Sequence, residues 1–319
     1  MITYKKILTK NFGTYMPKLR NRGDIMKIAI VGVGAIGGIY AALLAKAGEE
    51  PLLIDNDSQK LKVISKKGLT VEGWGSFDLP IVDTPPQAEQ DLLIIATKTY
   101  LNDAVYPSLR PMLGQNTTIF TLQNGFGNGE ALAELYPSEQ ICVGSTYWGA
   151  ICAEAGLVLP KGKGLTVVAP WLKAEPERAQ DLSDFLNNCD IIAEFEEDAL
   201  SMLWHKLVLN SIANPLSAVY RIKNGEILTN PQVFKLAKAL LREGVMVANA
   251  YGNDFTLEEM SALSFGTLKE VAENQTSMLR DKLAGRPLEI DSITGAIVKL
   301  AHAKGLKVPV NEKMLAALQ

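Results

Sequence analysis

Lys206, Asn210 and Asn214 recur at four-residue intervals inside the apolar stretch MLWHKLVLNSIANPLSA, residues 202 to 218. Four residues advance an α-helix by about 400°, so the three side chains share a stripe roughly 80° wide and about 12 Å long. An ammonium and two amides on an otherwise apolar helix need partners, since an unpaired buried polar group costs about 1–3 kcal/mol. A ligand is one candidate partner. An ammonium can stabilise and protonate the oxygen that gains charge when hydride adds to a carbonyl carbon. The amides beside it can donate to, and accept from, a carboxylate or hydroxyl. His205 points about 100° away from that stripe and reads as structural, and Trp204 reads as core.

A hydride must come from somewhere, and the N-terminal half offers a place for its carrier. In KIAIVGVGAIGG an apolar strand runs into Gly32, Gly34 and Gly37 in the GxGxxG spacing, and a helical stretch follows. Gly32 permits the tight turn, Gly34 lets backbone approach a pyrophosphate, and Gly37 allows close packing of helix on strand. With Val33, Ala35 and Ile36 between them, these residues form a candidate dinucleotide-binding turn whose helix N-terminus faces the phosphates. Asp55 ends the next strand in LLIDND, 23 residues after Gly32. A carboxylate there accepts from an adenosine ribose and repels a 2′-phosphate, which favours NAD over NADP; Lys60 and Lys62 nearby complicate that preference. Lys98 in DLLIIATKTY and Asn124 in TTIFTLQNGFGN stand at the carboxyl ends of two further strands, where open α/β sheets bind ligands.

The elements that must position these residues follow from the hydrophobic pattern. From residue 27 to about 197, short apolar strands alternate with amphipathic helices, the signature of a parallel sheet covered on both faces. GLTVEGWGSFDLPIVD, GLVLPKG and KGLTVVAP read as added strands or hairpins, and EPERAQDLSDFLNNC with DIIAEFEE as one more helix and strand. After residue 198 the pattern is helical, with helices expected over 199–219, 231–251, 257–282, 288–304 and 310–318. The fold class is therefore an α/β Rossmann-type N-terminal domain, 26–197, whose parallel sheet carries added strands, followed by an all-α C-terminal domain, 198–319. The long apolar helices of the second domain also offer a surface for a homodimer.

Composition narrows the partners. Of 319 residues, 47% are hydrophobic and 21% charged, ordinary values for a globular protein, and no apolar run reaches the roughly 20 residues a membrane helix needs. Residues 1–25 hold six Lys or Arg against one Asp, a net of +5, which leaves −8 of the whole-chain −3 for residues 26–319. That basic segment is either a loosely ordered arm or an extension ahead of a true start at Met26. The acidic body argues against nucleic acid as a partner. Three cysteines without CxxC spacing fit a reducing cytoplasm, and with two histidines the chemistry is expected to be metal-free.

Over essentially all of residues 26–319 the sequence resembles the ketopantoate reductases (2-dehydropantoate 2-reductases). The resemblance is carried by GVGAIGG, ATKTY, LQNGFGN, WHKLVLNSIANPLSAVYRIKNGE, NQTSMLRDKLAGRPLEIDSITGAIV and GLKVPVNEKM. It implies NADPH-dependent reduction of 2-dehydropantoate to pantoate, a step toward pantothenate and coenzyme A, with Lys206 as general acid. It implies that Asn210, Asn214, Asn224, Asn274 and Ser277 bind the substrate, and that Glu289 lines the active site beside cofactor and substrate. Lys98, Asn124 and Ala150 match cofactor contacts. Where many members carry an arginine for the 2′-phosphate, this chain has IDND, so the NADP preference that the resemblance implies and the NAD preference of Asp55 stand against each other. Read without the resemblance, RPLEID is also compatible with a helix start in which Glu289 and Asp291 favour the N-terminal dipole. The same scaffold is compatible with a different small 2-keto acid, or with a dinucleotide-binding redox sensor that does no chemistry.

Overall fold

The computed structural model describes residues 26–172 and 174–319; the basic segment 1–25 and both readings of its start lie outside the described residues. β1 (Ile28–Val31) is four apolar residues buried throughout, as a central strand covered on both faces requires. The chain continues through α1 (Ala35–Lys46), β2 (Leu52–Ile54), α2 (Ser58–Lys67), β3 (Leu69–Val71), β4 (Gly75–Phe77), β5 (Ile81–Val82), β6 (Gln90–Ile95) and α3 (Asn102–Ser108). It then forms β7 (Leu113–Thr121), α4 (Asn128–Ala133), β8 (Ile141–Thr146), β9 (Gly149–Glu154), β10 (Leu157–Gly162), β11 (Thr166–Pro170), α5 (Pro176–Asn188) and β12 (Ala193–Phe195).

Eight strands make one sheet in the order β12-β11-β8-β7-β6-β1-β2-β5. From β5 to β8 every pairing is parallel, and β11 enters antiparallel to β8. The other four strands form a small sheet, β4-β3-β10-β9. GLVLPKG and KGLTVVAP thus part company, the first pairing with β9 and β3 and the second with β8 and β12. In the large sheet the chain leaves β1 for β2 on one side and returns to β6 on the other. The crevice beyond the carboxyl ends of β1 and β6 is the topological switch point where this architecture takes ligands.

Past β12 the structure is helical: α6 (Ala199–Tyr220), α7 (Asn224–Thr229), α8 (Pro231–Ala250), α9 (Leu257–Glu270), α10 (Ser277–Leu283), α11 (Ile290–Ala303) and α12 (Pro309–Ala316). The single helix expected over 257–282 is two, because the Thr276 side chain accepts from the Leu279 N–H and starts α10 afresh. α7 is a further helix that the sequence reading leaves out. α6 is the axis of this half, packing against α7, α8, α10 and α11 and also touching β8 and β11. Its buried residues, Trp204, Leu207, Val208 and Ile212 among them, join those of α8 and α11 in one core.

Candidate active site

The glycine turn has the shape its spacing requires. A Cβ on Gly37 would lie 2.0 Å from the Gly32 carbonyl oxygen, so helix and strand meet as closely as glycine allows. A Cβ on Gly34 would meet nothing within 4 Å, so the turn is open on that side. No side chain caps α1 and no acid sits in its first turn, so its N-terminal N–H groups remain for an anion. Ala35 and Ile36 keep accessible surface there, whereas Val33 is buried. The Val33 N–H donates to Asp55 Oδ2 at 2.8 Å, so that donor is committed to the carboxylate rather than to a phosphate.

Asp55 accepts twice more, from the Asp57 N–H at 3.0 Å and from Lys60 Nζ at 2.7 Å. A carboxylate has about four acceptor positions, so one is left for a ribose hydroxyl, with a cation beside it. This turn fits a dinucleotide: backbone room for a pyrophosphate, free N–H groups and a fixed carboxylate at the ribose end.

At the next strand end Lys98 reaches across the crevice. Its ammonium donates to Glu289 Oε2 at 2.7 Å, just ahead of α11, and to Asp281 Oδ2 at 2.9 Å on α10. Burial works against the charge, but the Glu289 and Asp281 carboxylates outweigh it and raise the Lys98 pKa. Arg286 grips the other oxygen of Asp281, at 2.9 Å from Nε and 2.8 Å from Nη2. Glu289 also accepts from the Thr99 N–H at 3.3 Å, and the Thr99 and Ser292 hydroxyls meet at 2.9 Å. Asn124 is half-buried in the neighbouring loop, its carbonyl taken by Asn128 Nδ2 at 3.2 Å. Ala150, on β9, accepts at its carbonyl from Arg280 at 3.3 Å.

Lys206 lies on the inner face of α6, where its Nζ donates to the Thr146 carbonyl at 2.9 Å and stands 5.8 Å from the centre of the Tyr147 ring. Its side chain is half-buried, and the loss of water around the ammonium lowers the pKa from 10.5 to about 8, against the opposing pull of Glu289. Asn210 and Asn214 follow on the same face, Asn214 being 5% exposed. Among the described residues neither amide side chain has a hydrogen-bond partner. Asn224, at the start of α7, donates from its backbone to the Asn274 carbonyl at 3.0 Å and from Nδ2 to Val271 at 3.3 Å, while its buried Oδ1 has no partner. Ser277 opens α10, half-buried.

The structure therefore joins Lys98 to Glu289 by direct contact, and brings Glu289 into electrostatic range of Lys206. It joins Asn224 to Asn274, and it places Asp55 on the glycine turn. His205 bonds Ser201 and stacks on Phe255, Trp204 packs between Phe126 and Tyr251, and Asp291 lies exposed in the first turn of α11. The sequence reading passes over Asp281, which looks like an ordinary helical acid, and Thr146, whose contribution is a backbone carbonyl. Among the described residues no group of three or more His, Cys, Asp or Glu is placed to hold a metal, and no helix is long and apolar enough to cross a membrane.

Residues 28–173 match the family described as "Ketopantoate reductase PanE/ApbA", and residues 198–319 match "Ketopantoate reductase PanE/ApbA C terminal". A 2-dehydropantoate 2-reductase of Pyrococcus horikoshii is 34% identical over 288 residues, 90% of this chain and 94% of the relative. The crystal structure of a 2-dehydropantoate 2-reductase from Geobacter metallireducens superposes with a TM-score of 0.86 at 28% identity, covering 92% of this chain and 99% of that one. A complex of D-mandelate dehydrogenase with NADH gives the same TM-score at 26% identity, covering 92% and 97%.

Proposed function

The chain belongs to the ketopantoate reductase family, and on that premise we propose that it reduces 2-dehydropantoate to pantoate with a reduced nicotinamide dinucleotide, Lys206 giving the proton. One observation carries this reading: an ammonium with its pKa lowered by burial to about 8, against the pull of the Glu289 charge, sits on the face of α6 that carries Asn210 and Asn214. A lysine near that value releases its proton far more readily than a solvated one, yet stays largely charged at neutral pH. A bound reduced nicotinamide supplies the hydride. Lys206 binds the keto oxygen, offsets the charge that develops there and protonates it. Asn210, Asn214, Asn224, Asn274 and Ser277 hold the carboxylate and hydroxyl of the substrate, and Glu289 helps keep Lys206 charged.

Residues 26–197 form the dinucleotide-binding domain in this reading, and 198–319 the substrate domain and a homodimer surface, in a cytoplasmic enzyme. Gly32 to Gly37 hold the pyrophosphate, Asp55 the adenosine ribose, and Lys98, Asn124, Ala150 and Glu289 complete the cofactor cleft. Family membership favours NADPH and the Asp55 carboxylate favours NADH. Of the two we assign the preference to NADH, because Asp55 is fixed on the turn by the Val33 N–H.

A second reading, a reductase of another 2-keto acid, draws on the likeness to D-mandelate dehydrogenase. A dinucleotide sensor without chemistry has no need of a proton donor. The test is loss of nicotinamide absorbance with 2-dehydropantoate and NADH or NADPH in parallel. Oxidation is expected with both, faster with NADH. If neither is oxidised while both bind, 2-dehydropantoate is the wrong substrate, and other 2-keto acids distinguish the second reading from the sensor. Lys206→Ala is expected to abolish turnover and leave nucleotide binding nearly unchanged.

A further inference from the structure

Three buried hydroxyls lie in a row that links α1 to β11 and β8. Tyr40, on α1, and Thr166, on β11, are both 0% exposed, and their hydroxyls bond to each other. Thr166 Oγ1 reaches Thr146 Oγ1 at 3.4 Å, and the Trp148 N–H donates to the same Thr146 oxygen at 3.3 Å. Phe and Val at 40 and 166 would leave no polar atoms to satisfy, whereas these buried hydroxyls are satisfied by one another.

The row ends where it matters for chemistry. Thr146 is the last residue of β8, directly opposite Thr166 in the antiparallel pairing. The Thr166 N–H is taken by Ile192 on the far side, at 2.8 Å, so the Thr146 carbonyl is available to Lys206. Beyond Thr146 the chain turns through Tyr147 and Trp148 into β9, which belongs to the other sheet. The peptide unit that carries this carbonyl is held from its other end by the Tyr147 N–H, which donates to the Leu165 carbonyl at 2.8 Å, and the hydroxyl row holds the Thr146 side chain beside it.

We propose that Tyr40 and Thr166 are positioning residues for the proton donor: through the Thr146 hydroxyl they fix the carbonyl that holds the Lys206 ammonium. The inference rests on the reading of Lys206 as proton donor. It links the helix that follows the glycine turn to the acid through Thr146, whose hydroxyl meets the row and whose carbonyl holds the Lys206 ammonium. Among the described residues the charge that faces Lys206 is Glu289, ahead of α11, with Lys98 and Asp281 behind it; Tyr147 faces it as a ring. Burial pushes the Tyr40 phenol up to about 12, so Tyr40 stays neutral wherever the enzyme is assayed.

The test is single-turnover reduction as a function of pH in Tyr40→Phe, Thr166→Val and Thr166→Ser, with Lys206→Gln alongside and thermal melts of each. In Tyr40→Phe and Thr166→Val the rate is expected to fall ~10-fold with substrate KM within about 2-fold, since a small displacement of a catalytic group acts on the transition state. The alkaline limb is expected to move to lower pH, because an ammonium without a fixed acceptor loses its proton more easily. Thr166→Ser keeps the hydroxyl and is expected to restore both. Wild-type rate and limb in Tyr40→Phe and Thr166→Val, with only a lowered Tm, would overturn the positioning role while Lys206→Gln remains inactive. Turnover retained by Lys206→Gln would overturn the proton-donor reading and this inference with it.

Discussion

Lys98 and Glu289, 191 residues apart in the chain, meet ammonium to carboxylate at 2.7 Å across the crevice between the sheet and the helical half. Glu289 is 6% exposed and Lys98 keeps about a third of its side chain in water. The pair is thus a bond between the two halves at the site itself. Asp281 shares the same ammonium, and Arg286 balances the second carboxylate.

Removing the ammonium leaves two buried carboxylates with one cation between them. Breaking such a pair costs more than the pair contributes, because the abandoned charge stays out of water. Lys98→Met is expected to lower stability at neutral pH by about 2–3 kcal/mol, less than a fully buried pair because Lys98 is partly solvated. Urea melts at neutral pH check it. An absent deficit would mean that the pair holds nothing.

Two glycines of the turn, three residues apart, are expected to fail in different ways. Gly37→Val drives a Cβ to within 2.0 Å of the Gly32 oxygen, a clash with backbone that no rotamer relieves. Gly34→Val puts its side chain into open space. The first should lose several degrees of Tm or fail to fold; the second should keep its Tm within about 2 °C and lose nucleotide affinity by ~10-fold or more, because the methyls occupy the approach to the α1 N-terminus. Thermal melts with and without NADH distinguish the two, and equal losses of Tm would show that the open side of Gly34 is not where nucleotide enters.

What the sequence makes legible is whatever depends on local periodicity. The glycine turn, the parallel sheet with added strands and the all-helical second half follow from alternation and spacing, and the helix expected at 199–219 is Ala199–Tyr220. The four-residue recurrence of Lys206, Asn210 and Asn214 likewise places them on one face. Pairings between distant segments leave no such trace. Nothing near Lys98 announces Asp281, which becomes a buried acid only because α10 packs against α6 and meets the end of β6. Thr146 escapes because its contribution to Lys206 is a carbonyl that every residue type carries. The break before α10 was legible in principle, since Thr276 three residues ahead of Leu279 is a capping signal, but the apolar period on both sides hides it.

Asn214 offers a test of stability against function. It is 5% exposed and lies on the α6 face that carries Lys206, where a substrate would meet its amide. Asn214→Leu replaces the amide by an apolar group of similar size. Its Tm is expected to stay within about 2 °C of the parent, while KM for the keto acid rises ~10-fold. Melts and initial rates on one preparation decide it; a destabilised variant would mean that the amide is bonded in the resting protein, and an unchanged KM that it does not touch substrate.

The final expectation concerns Lys206 and pH, where activity and stability move in opposite directions. A proton donor must be charged, so the single-turnover rate should be flat on the acid side of the Lys206 pKa and fall tenfold per pH unit above about 8. For stability the sign reverses. The folded-state pKa, about 8, lies below the value of 10.5 that holds when the chain unfolds, so between those limits the unfolded state binds more protons and stability rises with pH. The charged lysine therefore costs stability below pH 8, and the cost is relieved across the 8 to 10.5 window, by at most about 3 kcal/mol at 1.36 kcal/mol per unit. Lys206→Met removes the titrating group. Its unfolding free energy should exceed that of the parent at pH 7 and converge with it toward pH 10, whereas parallel curves would mean that the ammonium is solvated and the rate limb above pH 8 belongs to another group.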